Sequence, residues 1–148
     1  MSIRSTFAGF ETSVAGMLAE RKRMEVLSLN IANANTIGPD GPYVRKAVIF
    51  KEILGAKMAN AASGQRGEIG RGVAVQGVYE DTRSEHPKIY QPEHPFADKE
   101  GFVRQPNVNI MYEMVDIQAA KTAYAANMAV LKNFRSMTRE AIDNLRSN

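Results

Sequence analysis

The sequence has no cysteine and no tryptophan, and aromatic residues make up only 7% of its 148 positions. The absence of thiols excludes disulfides, thiolate zinc sites, iron–sulfur clusters and a cysteine nucleophile. It leaves the redox compartment open. The scarcity of aromatics argues against a large aromatic core. No apolar run approaches the roughly 20 residues of a membrane helix. The opening segment Met1–Phe10, with Arg4 near its start, lacks the apolar stretch of a cleaved signal peptide. The chain is therefore expected to be soluble, while export by a route that cleaves nothing would leave no trace. There is no P-loop, dinucleotide fingerprint, nucleophile elbow or HExxH. Charge of one sign is also lacking: Lys plus Arg is 19 and Asp plus Glu 16, a net charge of +3. A surplus that small does not point to nucleic acid. What remains is 44% hydrophobic and 24% charged, which fits one folded domain, or a small domain carrying helical arms.

Proline and glycine divide the chain into three. Thr6–Asn33 has no proline, and Phe10, Met17, Met24 and Ile31 recur every seven residues, with Phe7, Val14, Arg21 and Ser28 in the offset position. Leu18 and Leu27 widen the stripe. This predicts a helix of roughly four heptads. Asn33, Asn35, Gly38, Pro39, Gly41 and Pro42 then form a stop signal. Residues 43–106 hold 7 of the 11 glycines and four of the prolines. Short runs at Tyr43–Ile53, Gly72–Tyr79, Lys88–Tyr90 and Gly101–Arg104 predict a small antiparallel β unit. The stretch Gly55–Gly70, rich in Ala, Gly, Ser and Gln, reads as a mobile loop, or a short helical turn followed by a loop.

From Asn109 to Leu145 there is neither proline nor glycine. Ile110, Ile117, Tyr124, Leu131, Thr138 and Leu145 repeat every seven residues, and Met114, Lys121, Met128, Arg135 and Ile142 take the second heptad position. The predicted helix is about 54 Å long at 1.5 Å per residue. Asn109 is a candidate N-cap, and Glu113 and Asp116 suit the dipole at the helix start. A further stripe, from Val115 and Ala119 to Phe134 and Met137, makes this helix apolar on two sides, so it wants more than one partner. The expected fold class is α+β. Residues 1–36 and 109–148 form long terminal helices packed as an antiparallel coiled-coil-like pair. Residues 37–108 form a linker and a small β-rich domain inserted between them. Charges on the seams at Arg21, Lys121 and Arg135 make a closed two-helix hairpin a poor solution, and assembly with neighbours a better one.

Chemistry-bearing motifs are few. Gly67, Gly70 and Gly72 are glycine-rich, but no strand leads in and no helix leads out. Glu85-His86-Pro87 and Glu93-His94-Pro95 repeat eight residues apart. They suit proline-stiffened turns better than a metal or acid–base pair, since no third ligand has a recognisable spacing. Arg21-Lys22-Arg23 reads as a helix face in solvent or between subunits. The methionines read as packing residues, adaptable at irregular contacts. No catalytic residue, metal, cofactor, nucleic acid or small-molecule substrate is expected.

The asparagines are the least ordinary feature. Asn30-Ile31-Ala32-Asn33-Ala34-Asn35-Thr36 closes the first helix, and Pro106-Asn107-Val108-Asn109 opens the last. Capping accounts for one asparagine at each place. Five suggest amides bonding backbone groups where helices and neighbouring subunits meet. The first stretch resembles the N-terminal signature of bacterial flagellar rod and hook proteins. Glu113-Met114-Val115-Asp116, continuing to Ala123-Tyr124 and Ala126-Asn127, resembles their C-terminal signature. Gly41-Pro42-Tyr43 with Arg45-Lys46, His94-Pro95 with Ala97-Asp98, and Gly101-Phe102-Val103 place the resemblance closest to the proximal rod proteins.

The resemblance implies a structural subunit, exported through the flagellar type III apparatus without a cleaved signal. It implies assembly into the periplasm-spanning rod that transmits torque and surrounds the export channel. Terminal helices would form the inner tube, with the β unit outward. Implied partners are copies of itself, other proximal and distal rod subunits, the adaptor between MS ring and rod, and the export apparatus. Phe10, Val14, Met17, Met24, Met114, Ile117, Tyr124, Met128 and Leu131 are expected in the helix–helix core. Asn30, Asn33, Asn35, Asn107 and Asn109 are expected to fix the helix ends, with Ile31, Thr36, Glu113, Asp116 and Asn127 at subunit-packing contacts. The competing reading is a cytosolic coiled-coil adaptor with a β-rich recognition module.

Overall fold

The computed structural model describes residues 3–54 and 70–146. Helix α1 spans Ile3–Ala32, and helix α2 spans Ile110–Arg146. Between them lie three two-stranded ribbons: β1 (Ile37–Gly38) with β2 (Gly41–Pro42), β3 (Lys46–Leu54) with β4 (Gly70–Glu80), and β5 (Lys88–Tyr90) with β6 (Phe102–Arg104). The fold is α+β, with a helix at each end and a strand-containing region between. Each ribbon is antiparallel.

Local chemistry sets the element ends. Proline-free sequence lets α1 run without a break. At its end the Asn33 side-chain amide donates to the Leu29 carbonyl at 2.9 Å, and the Asn33 backbone N–H reaches the same oxygen at 3.1 Å. These bonds satisfy a carbonyl that the helix leaves open. The next residues turn through Pro39 and Asp40 into β2. Asn109 caps α2: its Oδ1 accepts from the Met111 and Tyr112 backbone N–H groups at 3.0 and 3.3 Å.

The strands match the expected runs with shifted ends. The first run begins at Lys46 rather than Tyr43, because Tyr43 and Arg45 turn toward the helices, as described below. Ribbon β1–β2 was not expected. Its strands are two residues each, too short to leave an alternating pattern. The loop expected at 55–70 lies outside the described residues except Gly70, which opens β4. Gly67 of the glycine-rich motif lies outside them as well.

The β3–β4 register is interrupted twice, between Ile49 and Phe50 and between Glu52 and Leu54. The second interruption brings Gly72 to φ +112°, where a built Cβ would lie 3.0 Å from Ala15 Cβ and 3.3 Å from Thr12 Cα. Glycine thus allows both the bulge and the close approach of the ribbon to α1. Gly72→Ala is expected to lower stability by about 1–3 kcal/mol, read as a lower urea midpoint at unchanged slope.

Among the described residues, four side-chain contacts mark the line along which the helices meet. Asn30 meets Glu113, Arg23 meets Asp116, Gly16 lies under the Asn127 amide, and the Phe10 and Phe134 rings stand 5.6 Å apart. The buried polar pair Asn30 and Glu113 sits at the first of these, with Val26, Leu27 and Ala34 buried on the same stretch of chain, Ala19, Ser13 and Ala120 buried farther along the helices, and Val103 buried on β6. Beyond Ala120, no residue of α2 is buried.

Candidate functional site: the junction of helices and ribbons

Asn30 lies two residues before the end of α1 and is 0% exposed. Its amide uses its full capacity. Nδ2 donates to the Lys46 carbonyl at 2.7 Å and to Glu113 Oε2 at 2.8 Å. Oδ1 accepts from the Lys46 N–H at 2.9 Å and the Tyr43 hydroxyl at 3.0 Å. The Lys46 N–H only donates and its carbonyl only accepts, which fixes the orientation of the amide. One side chain thereby pairs the backbone of an incoming strand and ties it to the other helix.

Glu113, one turn into α2, is 1% exposed. Its Oε1 accepts from Arg45 Nε at 2.6 Å while Oε2 accepts from Asn30. A carboxylate so removed from water needs this cation and this donor. Burial opposes the charge on Arg45. The hydrogen bond to Glu113, with the charges of Glu113, Asp81 and Asp116, outweighs burial and raises the arginine pKa above its ordinary value. The Tyr43 hydroxyl is also pushed up, first by burial and then by Glu80 and Glu113. Asp116, one turn on, stands 3.1 Å from Arg23 Nη2 and 4.0 Å from Arg45 Nη2. It is more exposed than Glu113 and forms the weaker outer pair.

Asn107 fixes the same segment from the other side. Its Oδ1 accepts the Arg45 N–H at 2.7 Å, and its Nδ2 donates to the Asp81 carbonyl at 2.7 Å. Asp81 organises its own turn by accepting from the Ser84 hydroxyl and the Ser84 and Arg83 N–H groups, which, with the Ser84 bonds foremost, lower its pKa. Asn30, Asn107 and Glu113 therefore converge on Tyr43–Lys46.

The other expected residues fall as follows. Asn33 and Asn109 act at helix ends, Thr36 donates to Asn33 Oδ1 at 3.2 Å, and Asn35 is exposed. Asn127 lies on Gly16, with its Nδ2 also donating to the Ala123 carbonyl. Val14, Met17, Met24, Ile31, Ile117, Tyr124, Met128 and Leu131 are half-buried. Phe10 is partly exposed though it meets Phe134. Met114 departs from the expected core: it points away from the helix contact and is 55% exposed. The small residues Ala19 and Ala120, with Val26 and Leu27, are the fully buried ones instead.

Tyr43, Arg23 and Arg45 were missing from the expected site. The signal that points to them is Glu113 itself. It stands between Ile110 and Ile117 on the apolar seam, where a carboxylate demands a buried cation. His94 serves its own turn, while His86 meets a residue distant in sequence, next to the β5–β6 ribbon. His86 Nδ1 lies 2.8 Å from the Gln105 carbonyl, and His94 Nδ1 accepts the Phe96 N–H at 3.2 Å.

Comparison with known proteins places this junction. Residues 10–39 match the family described as flagella basal body rod protein, and residues 99–144 match the C-terminal family of flagellar basal body rod FlgEFG proteins. The two stretches hold Asn30 and Glu113, the buried partners. The flagellar basal-body rod protein FlgC of Salmonella typhimurium is 38% identical over 130 residues, covering 86% of this chain and 89% of that one. The chain belongs to the FlgC family of flagellar basal-body rod proteins. Its FlgC relatives in Borreliella burgdorferi and Bacillus subtilis are 37% and 32% identical, over 92% and 94% of this chain and 95% and 97% of theirs. The FlgC-like chain is thus a structural rod subunit of the flagellar basal body, and it assembles with other flagellar rod proteins. In these terms the junction is a structural device: it fixes both helix ends of the rod subunit to its strand-containing region.

Proposed function

We propose that this rod subunit builds its part of the rod by packing its terminal helices, residues 1–36 and 109–148, as an antiparallel coiled-coil-like pair within a tubular wall around the export channel. The β-rich insert, residues 37–108, faces outward. The pairing is supported by the four helix contacts, in which the residue number falls along α1 as it rises along α2. The tube is supported by one observation above others. The distal half of α2 leaves Val130, Met137, Ile142 and Leu145 exposed, Leu145 at 80%. An apolar strip of this kind, from Val130 to Leu145, is a surface for neighbours.

The proposed role is mechanical. The junction holds helices and insert as one piece, so torque applied at one reaches the other. Asn30, Asn33, Asn35, Asn107 and Asn109 fix the helix ends, and Ile31 and Thr36 take part in subunit packing beside them. Glu113 and Asp116 bind the segment before β3, and Asn127 seats α2 on α1. Phe10, Val14, Met17, Met24, Ile117, Tyr124, Met128 and Leu131 line the helix pair, while Met114 meets a neighbouring subunit. The partners are copies of this chain, proximal and distal rod subunits, and the adaptor joining the MS ring to the rod. The chain reaches the periplasm through the flagellar type III apparatus. None of these residues is assigned a catalytic role.

Met137→Glu combined with Leu145→Glu tests the assembly surface. Both residues are exposed, so the helix content and unfolding midpoint of the purified chain are expected to stay within about 0.5 kcal/mol of the parent. Motility is expected to be lost, with rods interrupted. Swimming at the parental rate would remove this face from the assembly.

A further inference from the structure

Among the described residues, two features of opposite charge lie at separate places on the chain, the first weakly paired and the second unpaired. The first is a groove between α1 and the β3–β4 ribbon, with Gly16 and Ala19 on its floor and the partly exposed Phe50 and Val73 on its walls. Glu20 enters this groove. Its Oε2 is shut off from solvent and has no hydrogen-bond partner among the described residues. Among the described residues its one ion-pair partner, Arg23 Nη1, is 4.0 Å away, and the same guanidinium uses Nη2 on Asp116 at 3.1 Å. A shielded carboxylate oxygen without a donor carries a desolvation cost that the described residues leave unrecovered. Apolar walls beside such an oxygen suit a lysine or arginine, whose methylenes cover the walls while its head reaches the carboxylate.

The second feature is on α2. Lys132, Arg135 and Arg139 are spaced by three and four residues, so they share one helix face. All three are exposed, and among the described residues none pairs with a carboxylate. One chain cannot join the two features. Asn127 sits on Gly16. Glu20 lies four residues from Gly16 toward the junction, and Arg135 lies eight residues from Asn127 the other way. The separation along the helices is about 18 Å at 1.5 Å per residue.

We infer that the Glu20 groove receives the Lys132–Arg135–Arg139 face of a second copy's α2, with Arg135 reaching the Glu20 carboxylate. This rests on the rod reading and deepens it by naming the mating surfaces. The contact joins two different patches, so it is heterologous and propagates from copy to copy around or along a helical wall.

The cysteine-free sequence gives a clean test. Glu20→Cys and Arg135→Cys are introduced together, basal bodies are isolated, and mild oxidant is added before non-reducing electrophoresis. The expected result is a ladder of disulfide-linked copies of this subunit, absent when either cysteine is present alone. Complete rods without the ladder, or a disulfide only to a different rod protein, would overturn the inference while leaving the rod function standing. Where the cysteine pair builds no rods, charge exchange decides. Glu20→Arg and Arg135→Glu singly are expected to cut swimming at least tenfold, and the combined exchange to restore most of it. A combined variant as defective as the singles would overturn the inference.

Discussion

Asn30→Leu is expected to lower the stability of the isolated subunit by about 3–5 kcal/mol, although leucine nearly matches asparagine in size. Four bonds are lost at once: two from Nδ2, to Glu113 and Lys46, and two to Oδ1, from Lys46 and Tyr43. The cost is set by what is left behind. Tyr43 and Lys46 are half-exposed and recover part of their loss from water. Glu113 is 1% exposed and recovers little. Asn30→Asp is expected to be no milder. It keeps the acceptor but turns a carboxylate oxygen toward the Glu113 carboxylate, so repulsion replaces a hydrogen bond. Urea unfolding followed by circular dichroism measures both. A leucine variant within about 1 kcal/mol of the parent would mean that water enters the junction and that the amide is dispensable.

The second large effect is at Glu113. Glu113→Ala leaves Arg45 Nε and Asn30 Nδ2 without their acceptor. Breaking a fully buried pair costs about 3–5 kcal/mol. The Arg45 side chain is 26% exposed, and Asp116 at 4.0 Å offers it a second carboxylate. The expected loss is therefore smaller, about 2–4 kcal/mol. Arg45→Ala leaves a buried carboxylate unpaired and is expected to cost a similar amount. The double variant should cost less than the sum of the two, with a coupling of about 1–3 kcal/mol in the cycle. Raising salt should barely change that coupling, because the pair is shielded. The more exposed Arg23–Asp116 pair should show a coupling below about 1 kcal/mol that falls with salt. Strict additivity for Arg45 and Glu113 would contradict the geometry of the junction.

Both effects sit where long-range polar contacts meet, and that is where the sequence is hardest to read. The helices announce themselves through uninterrupted heptads, and their ends through Asn33 and Asn109, because these signals are local. Asn30 and Glu113 are legible as unusual residues: an amide in the last turn of one helix and a carboxylate on the seam of another. Their partners are not, because Arg45 and Tyr43 lie 68 and 13 residues from the groups they meet, and no spacing marks such a pair. The heptad also misleads at Met114. Two helices alone bury a narrow strip, and that strip is filled by Ala19, Val26, Leu27 and Ala120, while larger seam residues remain half-covered or exposed. The bulge at Gly72 has a similar status: its glycine is visible, but its reason, the closeness of Ala15 and Thr12, is tertiary.

The contrast between the two ends of the helix pair carries the functional account. At one end, a buried network fixes the helices to the strand-containing region. From Lys121 onward, α2 has no buried residue and keeps an apolar stripe in the open. A chain that spends its best packing at one end and leaves the other uncovered is built to be completed by neighbours.

The most direct test removes that uncovered end while sparing the junction. Deleting Asn127–Asn148 leaves Asn30, Arg45 and Glu113 in place, so the chain should still be expressed. The measurement is the basal body itself: motility is scored in the source bacterium and isolated basal bodies are imaged by electron microscopy. The account predicts non-motile cells with rods missing or stopped at their base. Normal swimming with complete rods, in cells that express only the truncated chain, would contradict it.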